Sequence, residues 1–401
     1  MTRKSLRTRR IGAPAAIGTA ALVSLTLSVW PASATASPVL THSPVLTHSP
    51  VLTHSPVLTG SPVITGIPTP SVSAARAVLP DQVNRQRQRT SFDLEGHRGA
   101  RGLRPENTLP AFRKALDIGV RTLELDTGVT RDGVVIVSHE RSIVPLVCTD
   151  TAPATPGDPQ YPYVGKLIHQ LTFAQVETLD CGSRHPVDPA TDPYYASQLP
   201  VPGTHIPTLD QVFALVEQRH ADTVQLNIET KTDPTHPGET LAPEAFTRAD
   251  LAVIRRHRGG IARSLLQSFD WRTLDVAKRL APRLRRVALV GTTTVQAGQP
   301  GKSPWLDGLD VDNFGGDIAA TAAAARVGAD VLSPDYTLVT AKLLASAHRH
   351  DELVVPYTVD DVRTMLAQID LGVDGLISDY PDRLRDVLDS LGFRLPRRYP
   401  S

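Results

Sequence analysis

From Phe92 to Leu388 the apolar residues recur in two alternating rhythms. Short runs of four to seven residues, Phe92–His97, Thr122–Asp126, Thr223–Glu229, Ser264–Phe269, Arg286–Val290, Asp330–Ser333, Leu353–Thr358 and Gly375–Ser378, read as eight strands. Between them, apolar positions spaced three and four apart predict helices over Thr208–Arg219, Pro243–His257, Trp271–Leu280, Ile318–Arg326, Thr340–His350 and Val362–Asp370. A further helix follows the first strand, capped by Asn107 or Thr108 and ended by Gly119. Several strand runs are apolar throughout, as strands covered by helices on one face and closed on the other require. Eight such units predict an α/β fold, a (β/α)8 TIM barrel of about 250 residues spanning 90–395.

Two stretches break this rhythm. Asp132-Gly133 between Val129 and Val134–Val137 predicts a two-residue hairpin turn, with Arg131 opposite Val134 and Asp126 opposite His139. Residues 141–206 are rich in Pro, Asp, Thr and Tyr and read as a long ordered insertion at the barrel mouth. Tyr161, Tyr163, Tyr194 and Tyr195 are its expected substrate-facing contacts.

The first 89 residues are of a different kind. A basic segment with Arg3, Lys4, Arg7, Arg9 and Arg10, a mostly apolar run over Ala15–Trp30 and Ala32-Ser33-Ala34 predict a signal peptide over 1–34. Arg9-Arg10 leaves twin-arginine and general export both open. Ser-Pro-Val-Leu-Thr-His then recurs from Ser37, Ser43 and Ser49, so 35–89 read as an extended, Pro-rich spacer. The chain has two cysteines, Cys148 and Cys181, and in an oxidising compartment they are expected to pair. These features predict a secreted protein without a permanent membrane anchor. A formal net charge of +1 makes no electrostatic case for a nucleic-acid partner.

In a parallel barrel the chemistry sits at the C-terminal ends of the strands. Those ends carry His97-Arg98, Glu124 and Asp126, Glu229 with Lys231, Gln267, Tyr357 and Asp379. Glu124 and Asp126 are two apart and share a face. With Glu229 they form a carboxylate set of hard oxygen ligands suited to Ca²⁺ or Mg²⁺. His97 and His139 suit acid–base work near neutral pH.

The joint pattern His97-Arg98-Gly99, Pro105-Glu106-Asn107-Thr108, Glu124/Asp126 and His139 resembles the glycerophosphodiester phosphodiesterase family. So does the closing stretch Gly372–Pro381. The resemblance implies metal ligation by Glu124, Asp126 and Glu229; Arg98 and Lys231 at the same strand ends are read as cations on the substrate phosphate. It further implies His97 as base and His139 as acid; the strand-end positions put Gln267, Tyr357 and Asp379 around the substrate, Asp379 orienting its neighbours. Substrates would be small glycerophosphodiesters or glycerol-phosphate wall polymers, cut to an alcohol and glycerol 3-phosphate. Departures are Glu140 where the family usually has Asp, and Tyr357-Thr358-Val359-Asp360 where it often has Trp-Thr-Val-Asn. The insertion fits the family pattern poorly. Other readings are a phospholipase D-like enzyme acting on lysolipids or sphingomyelin, a barrel glycosidase, and a non-catalytic surface-binding barrel. A glycosidase would leave His97, Arg98 and His139 without roles, and binding alone requires neither imidazole.

Overall fold

The structure is a computed structural model that describes residues 90–183 and 197–400. The expected signal peptide, the repeat spacer, Tyr194 and Tyr195 lie outside them. Within them, parallel strands β1 (Asp93–Gly96), β2 (Thr122–Val129), β4 (Gln225–Thr230), β5 (Ser264–Ser268), β6 (Arg285–Val290), β7 (Val331–Pro334), β8 (Leu353–Val354) and β9 (Gly375–Ser378) run in the order β8-β7-β6-β5-β4-β2-β1-β9. The short antiparallel β3 (Val135–Val137) pairs with β2. Backbone bonds from Asp374 N–H to Val354 O (2.9 Å) and from Ile377 N–H to Pro356 O (3.0 Å) bring the two ends of the path together. The result is the expected TIM barrel.

Helices α1 (Leu109–Ile118), α2 (Leu209–Gln218), α3 (Pro243–Arg256), α4 (Trp271–Leu280), α5 (Ile318–Ala324), α6 (Ala341–Arg349), α7 (Val362–Leu371) and α8 (Pro381–Ser390) cover the strands. The apolar sequence rhythm did not single out α8. Its buried Leu384, Val387 and Leu388 are nonetheless spaced three and four apart, and they pack it against β1 and α1. Thr108, not Asn107, caps α1, accepting the Ala111 N–H at 3.3 Å, and Gly119 ends it in the left-handed region (φ +87°).

Strand residues alternate cleanly between two environments. Leu94, Leu123, Leu125, Leu226, Ile228, Leu266, Ala288, Leu332 and Leu376 face the helices in the main core. The other face fills the barrel, and it is divided. Leu265, Val287, Val331, Val355 and Ile377 form an apolar cluster on the β5–β9 side. The β1, β2 and β4 side is polar, with Glu95, Glu124, Asn227 and Glu229, and Gln267 beside them on β5.

The hairpin has a different register from the one its turn signal suggests. Thr127 pairs with Val137 and Val129 with Val135, so Asp126 lies opposite Ser138, whose N–H bonds to Asp126 O at 3.0 Å. The loop has three residues, Arg131-Asp132-Gly133, between the paired Thr130 and Val134. Gly133 takes the left-handed position (φ +81°), the usual end of a three-residue hairpin loop. The extra residue shifts pairing by one and carries His139 past the end of β3.

The insertion is more than a loop. Ile143, Tyr163, Ile168, Leu171, Val176, Leu179 and Ile206 pack with Ile136 of β3 into a second apolar core, stapled by the Cys148–Cys181 disulfide. Tyr163 is wholly buried there; its hydroxyl accepts the Ala154 N–H and donates to Asp158. It is therefore a core residue and not a substrate contact, because the insertion needed an aromatic centre of its own. Tyr161 packs edge-on against it at 5.4 Å.

Candidate active site

The strand ends bring most of the expected residues together. Glu124 and Asp126 extend from β2 and Glu229 from β4. One carboxylate oxygen of each lies within 4.8 Å of the others, and all three residues are buried. Such a cluster of hard oxygens fits a divalent cation of the Ca²⁺ or Mg²⁺ kind.

Its electrostatics are those of charge crowded into a dry place. Burial, then the neighbouring Asp126 and Glu229, push the Glu124 carboxyl well above its ordinary value. Glu229 is pushed up to about 7 by burial and Asp126, against the pull of Lys231. Asp126 goes the other way. Burial opposes its charge, but Lys231, His139 and Arg98 together hold it well below the carboxylate range. Lys231 Nζ lies 2.8 Å from Glu229 and 3.3 Å from Asp126. Those carboxylates keep it protonated despite its burial.

Arg98 sits in the left-handed region (φ +48°), uncommon for a side chain of this size. The conformation turns its backbone N–H onto Glu124 Oε2 at 2.7 Å. Its guanidinium then reaches Glu106 Oε1 (2.7 Å) and approaches Asp126 Oδ2 (3.4 Å). Asn107, also left-handed (φ +54°), donates to Asp126 Oδ2 at 2.8 Å. The Pro105–Thr108 stretch is thus a clamp: Glu106 holds Arg98 and Arg101, Asn107 holds Asp126, and Thr108 starts α1.

His97 Nδ1 is 2.5 Å from Asp379 Oδ1, and its Nε2 is 3.9 Å from Glu124 Oε2. A carboxylate can only accept, so Nδ1 carries the proton and Nε2 is left as the basic nitrogen. Burial lowers the His97 pKa, with Asp379 opposing, which favours the neutral base. His139 reaches the mouth from the bend after β3, with Nδ1 2.8 Å from Glu140 Oε1. Burial and then Lys231 lower its pKa, while Asp126 raises it.

The remaining positions divide. Gln267 does not point outward; it is buried and donates to Glu124 Oε1 at 2.7 Å. Tyr357 is half-buried, donates to Val290 O at 3.0 Å and packs edge-on against Phe269. Asp379 contacts His97 and receives support from Asp360, which accepts its backbone N–H at 2.9 Å. Sequence reasoning assigned no role in the site to Glu106 or Asn227, and gave Asn107 only a place as a candidate helix cap. Asn227 carried a signal, being a polar residue two before Glu229 in an otherwise apolar run. The clamp roles of Glu106 and Asn107 depend on left-handed backbone that residue types alone do not announce.

A cleft open to solvent lies beside His139, between the Glu106–Thr108 stretch and the insertion. Glu106, Asn107, His139 and Glu140 line one side; Ile143, Val144, Val147, Ile206 and the disulfide line the other.

The family model described as the glycerophosphoryl diester phosphodiesterase family matches residues 97–383. A glycerophosphodiester phosphodiesterase from Caldanaerobacter subterraneus subsp. tengcongensis is 26% identical over 292 residues, covering 73% of this chain and 96% of its own. One from Bacillus subtilis is 25% identical, covering 73% and 84%. Among solved structures, one from Silicibacter pomeroyi DSS-3, provisionally assigned as a glycerophosphoryl diester phosphodiesterase, superposes with a TM-score of 0.63 at 29% identity, covering 76% and 95%. An Oleispira antarctica phosphodiesterase, solved with the product sn-glycerol-3-phosphate, shares the fold with a TM-score of 0.52 at 21% identity, covering 74% and 96%. The match runs from His97 past Asp379, which orients it, and so takes in every strand end described above: this chain belongs to the glycerophosphoryl diester phosphodiesterase family.

Proposed function

We propose that this phosphoric diester hydrolase is a secreted, metal-dependent glycerophosphodiester phosphodiesterase that releases an alcohol and glycerol 3-phosphate. The observation that carries the reading is the His97–Asp379 pair, with its basic Nε2 turned toward the carboxylate cluster.

Glu124, Asp126 and Glu229 would hold the Ca²⁺ or Mg²⁺, which when bound supplies charge neutralisation at the phosphodiester oxygens. Arg98 and Lys231 add fixed positive charge beside them. His97 Nε2 takes the proton of the nucleophile, a water or the neighbouring glycerol hydroxyl, and Asp379 steadies the imidazolium that forms. His139 gives a proton to the departing alcohol. Attack by the glycerol hydroxyl would pass through a cyclic phosphate. The basic, then apolar, N-terminal sequence and the Cys148–Cys181 bridge support an exported enzyme.

One observation favours a second reading, a phospholipase D-like action on lysolipids or sphingomyelin. The insertion side of the cleft is aliphatic, and Leu146 on the same segment is 64% exposed.

The test is glycerol 3-phosphate release from glycerophosphocholine by the purified protein, with and without EDTA, beside His97→Ala. Release should require a divalent cation and fall by roughly 10²–10⁴-fold in the variant. No release with Ca²⁺, Mg²⁺ or Zn²⁺ would sink the small-diester reading. Turnover of lysolipid in its place would establish the second, and turnover of a glycerol-phosphate polymer would move the substrate to the wall.

A further inference from the structure

Beneath the carboxylates, the barrel interior holds two amides that the reaction above does not use. Asn227 lies on β4 and Gln267 on β5, each 1% exposed. Gln267 Nε2 donates to Glu124 Oε1 at 2.7 Å. Asn227 Nδ2 donates to Gln267 Oε1 at 3.1 Å and to Glu95 Oε2 at 3.0 Å.

The directions along this chain are forced. As the carboxylate that binding a cation requires, Glu124 can only accept, so Gln267 turns its NH₂ toward Glu124 and its carbonyl oxygen toward Asn227. Asn227 must then turn its NH₂ to Gln267, and its second N–H meets Glu95. The other oxygen of Glu124 accepts the Arg98 N–H at 2.7 Å. Glu124 is therefore held at both oxygens by donors from different elements, β5 and the bend after β1. Its remaining lone pairs are fixed relative to Asp126 and Glu229.

We propose that Asn227 and Gln267 are positioning residues whose amide relay sets the orientation of Glu124, and with it the affinity of the carboxylate cluster for a hard divalent cation. The proposal rests on the reading that these carboxylates hold such a cation. Partners beneath a metal ligand typically govern affinity or activity by 10–100-fold. A mere core role, satisfying buried polar groups, would lower stability without touching the metal.

The experiment is calorimetric titration of the full chain with Ca²⁺, and separately Mg²⁺, for wild type, Gln267→Met and Asn227→Asp. Gln267→Met removes the donor to Glu124. Asn227→Asp presents oxygen to Gln267 and turns its amide over, so that an oxygen faces Glu124. Each should raise the dissociation constant about 10–100-fold, with kcat recovering at saturating cation. Should either variant fail to fold by circular dichroism, Asn227→Leu, of similar volume and without donors, takes its place with the same expected shift. Folded variants with wild-type affinity and only a lower melting temperature overturn the proposal alone. A wild-type chain that binds neither cation overturns the metal reading and this proposal together. Those two failures are read from different samples and cannot be confused.

Discussion

Lys231 lies between Glu229 and Asp126 at 2.8 and 3.3 Å, so a single ammonium already offsets part of the charge that a divalent cation would meet. The site is therefore not a bare acidic hole. It is a partly compensated set in which the two cations Arg98 and Lys231 pair with Glu106, Asp126 and Glu229, and the Arg98 N–H reaches Glu124. Glu352 lacks such compensation. Glu352, just before β8, is 2% exposed and its Oε2 has no hydrogen-bond partner. Burial and then the like charge of Asp317 push its pKa from 4.5 up to about 8. The folded chain thus holds this proton more tightly than the unfolded one. The stability it contributes is complete below about pH 4.5 and is lost as pH rises through about 8. Glu352→Gln, neutral at every pH, should melt higher than wild type at pH 9, by on the order of 2 kcal/mol in stability. The gap should close as pH approaches 5. Melting curves across that range check it, and a gap independent of pH would assign the buried proton elsewhere.

Among the elements, α1 bears most directly on the site, because its cap and the clamp are one stretch of chain. Thr108 accepts from Ala111 N–H and donates to Pro105 O at 2.5 Å, fixing Glu106 and Asn107 between them. Thr108→Ala should cost about 1 kcal/mol of stability and raise KM as the Asn107–Asp126 contact loosens. Thermal unfolding and steady-state kinetics on the same sample would show it; loss of stability with KM unchanged would separate cap from clamp. Most elements were legible because their apolar spacing is set by burial, which residue type reports directly. The carboxylates, His97, Arg98 and Lys231 were legible for another reason: polar residues at the ends of apolar strands have few structural uses. The hairpin register was not, since an Asp-Gly pair serves a two-residue loop and a three-residue loop equally well. Only the pairing of Thr130 with Val134 decides between them. The core role of Tyr163 was hidden because the insertion's apolar residues are scattered over 136–206 without a period. The amide relay was hidden for a similar reason, since Asn227 and Gln267 lie 40 positions apart and meet only across β4 and β5.

At the scale of the whole molecule, the described residues comprise a barrel and an insertion with its own core, joined where Ile136 of β3 packs against the insertion. Cys148–Cys181 closes a loop with a sequence separation of 33, a constraint worth roughly 3–4 kcal/mol on the unfolded insertion. Cys148→Ser/Cys181→Ser should therefore open the insertion before the barrel. Limited proteolysis should cut within 141–206 while 207–395 stays intact, and simultaneous loss of both parts would show that the two cores fold as one. The divided interior of the barrel has a longer-range consequence. On the β5–β9 wall, Leu265, Val287, Val331, Val355 and Ile377 can exchange for other aliphatics of like volume at small cost. Across from them, almost any exchange among Glu95, Asn227, Gln267 and Glu124 strands a donor or an acceptor in the dark. Random drift in this lineage is therefore channelled to one side of the barrel. Descendants would diverge along the greasy wall while the opposite wall is inherited nearly letter for letter, a lopsided record that a set of sister sequences would display.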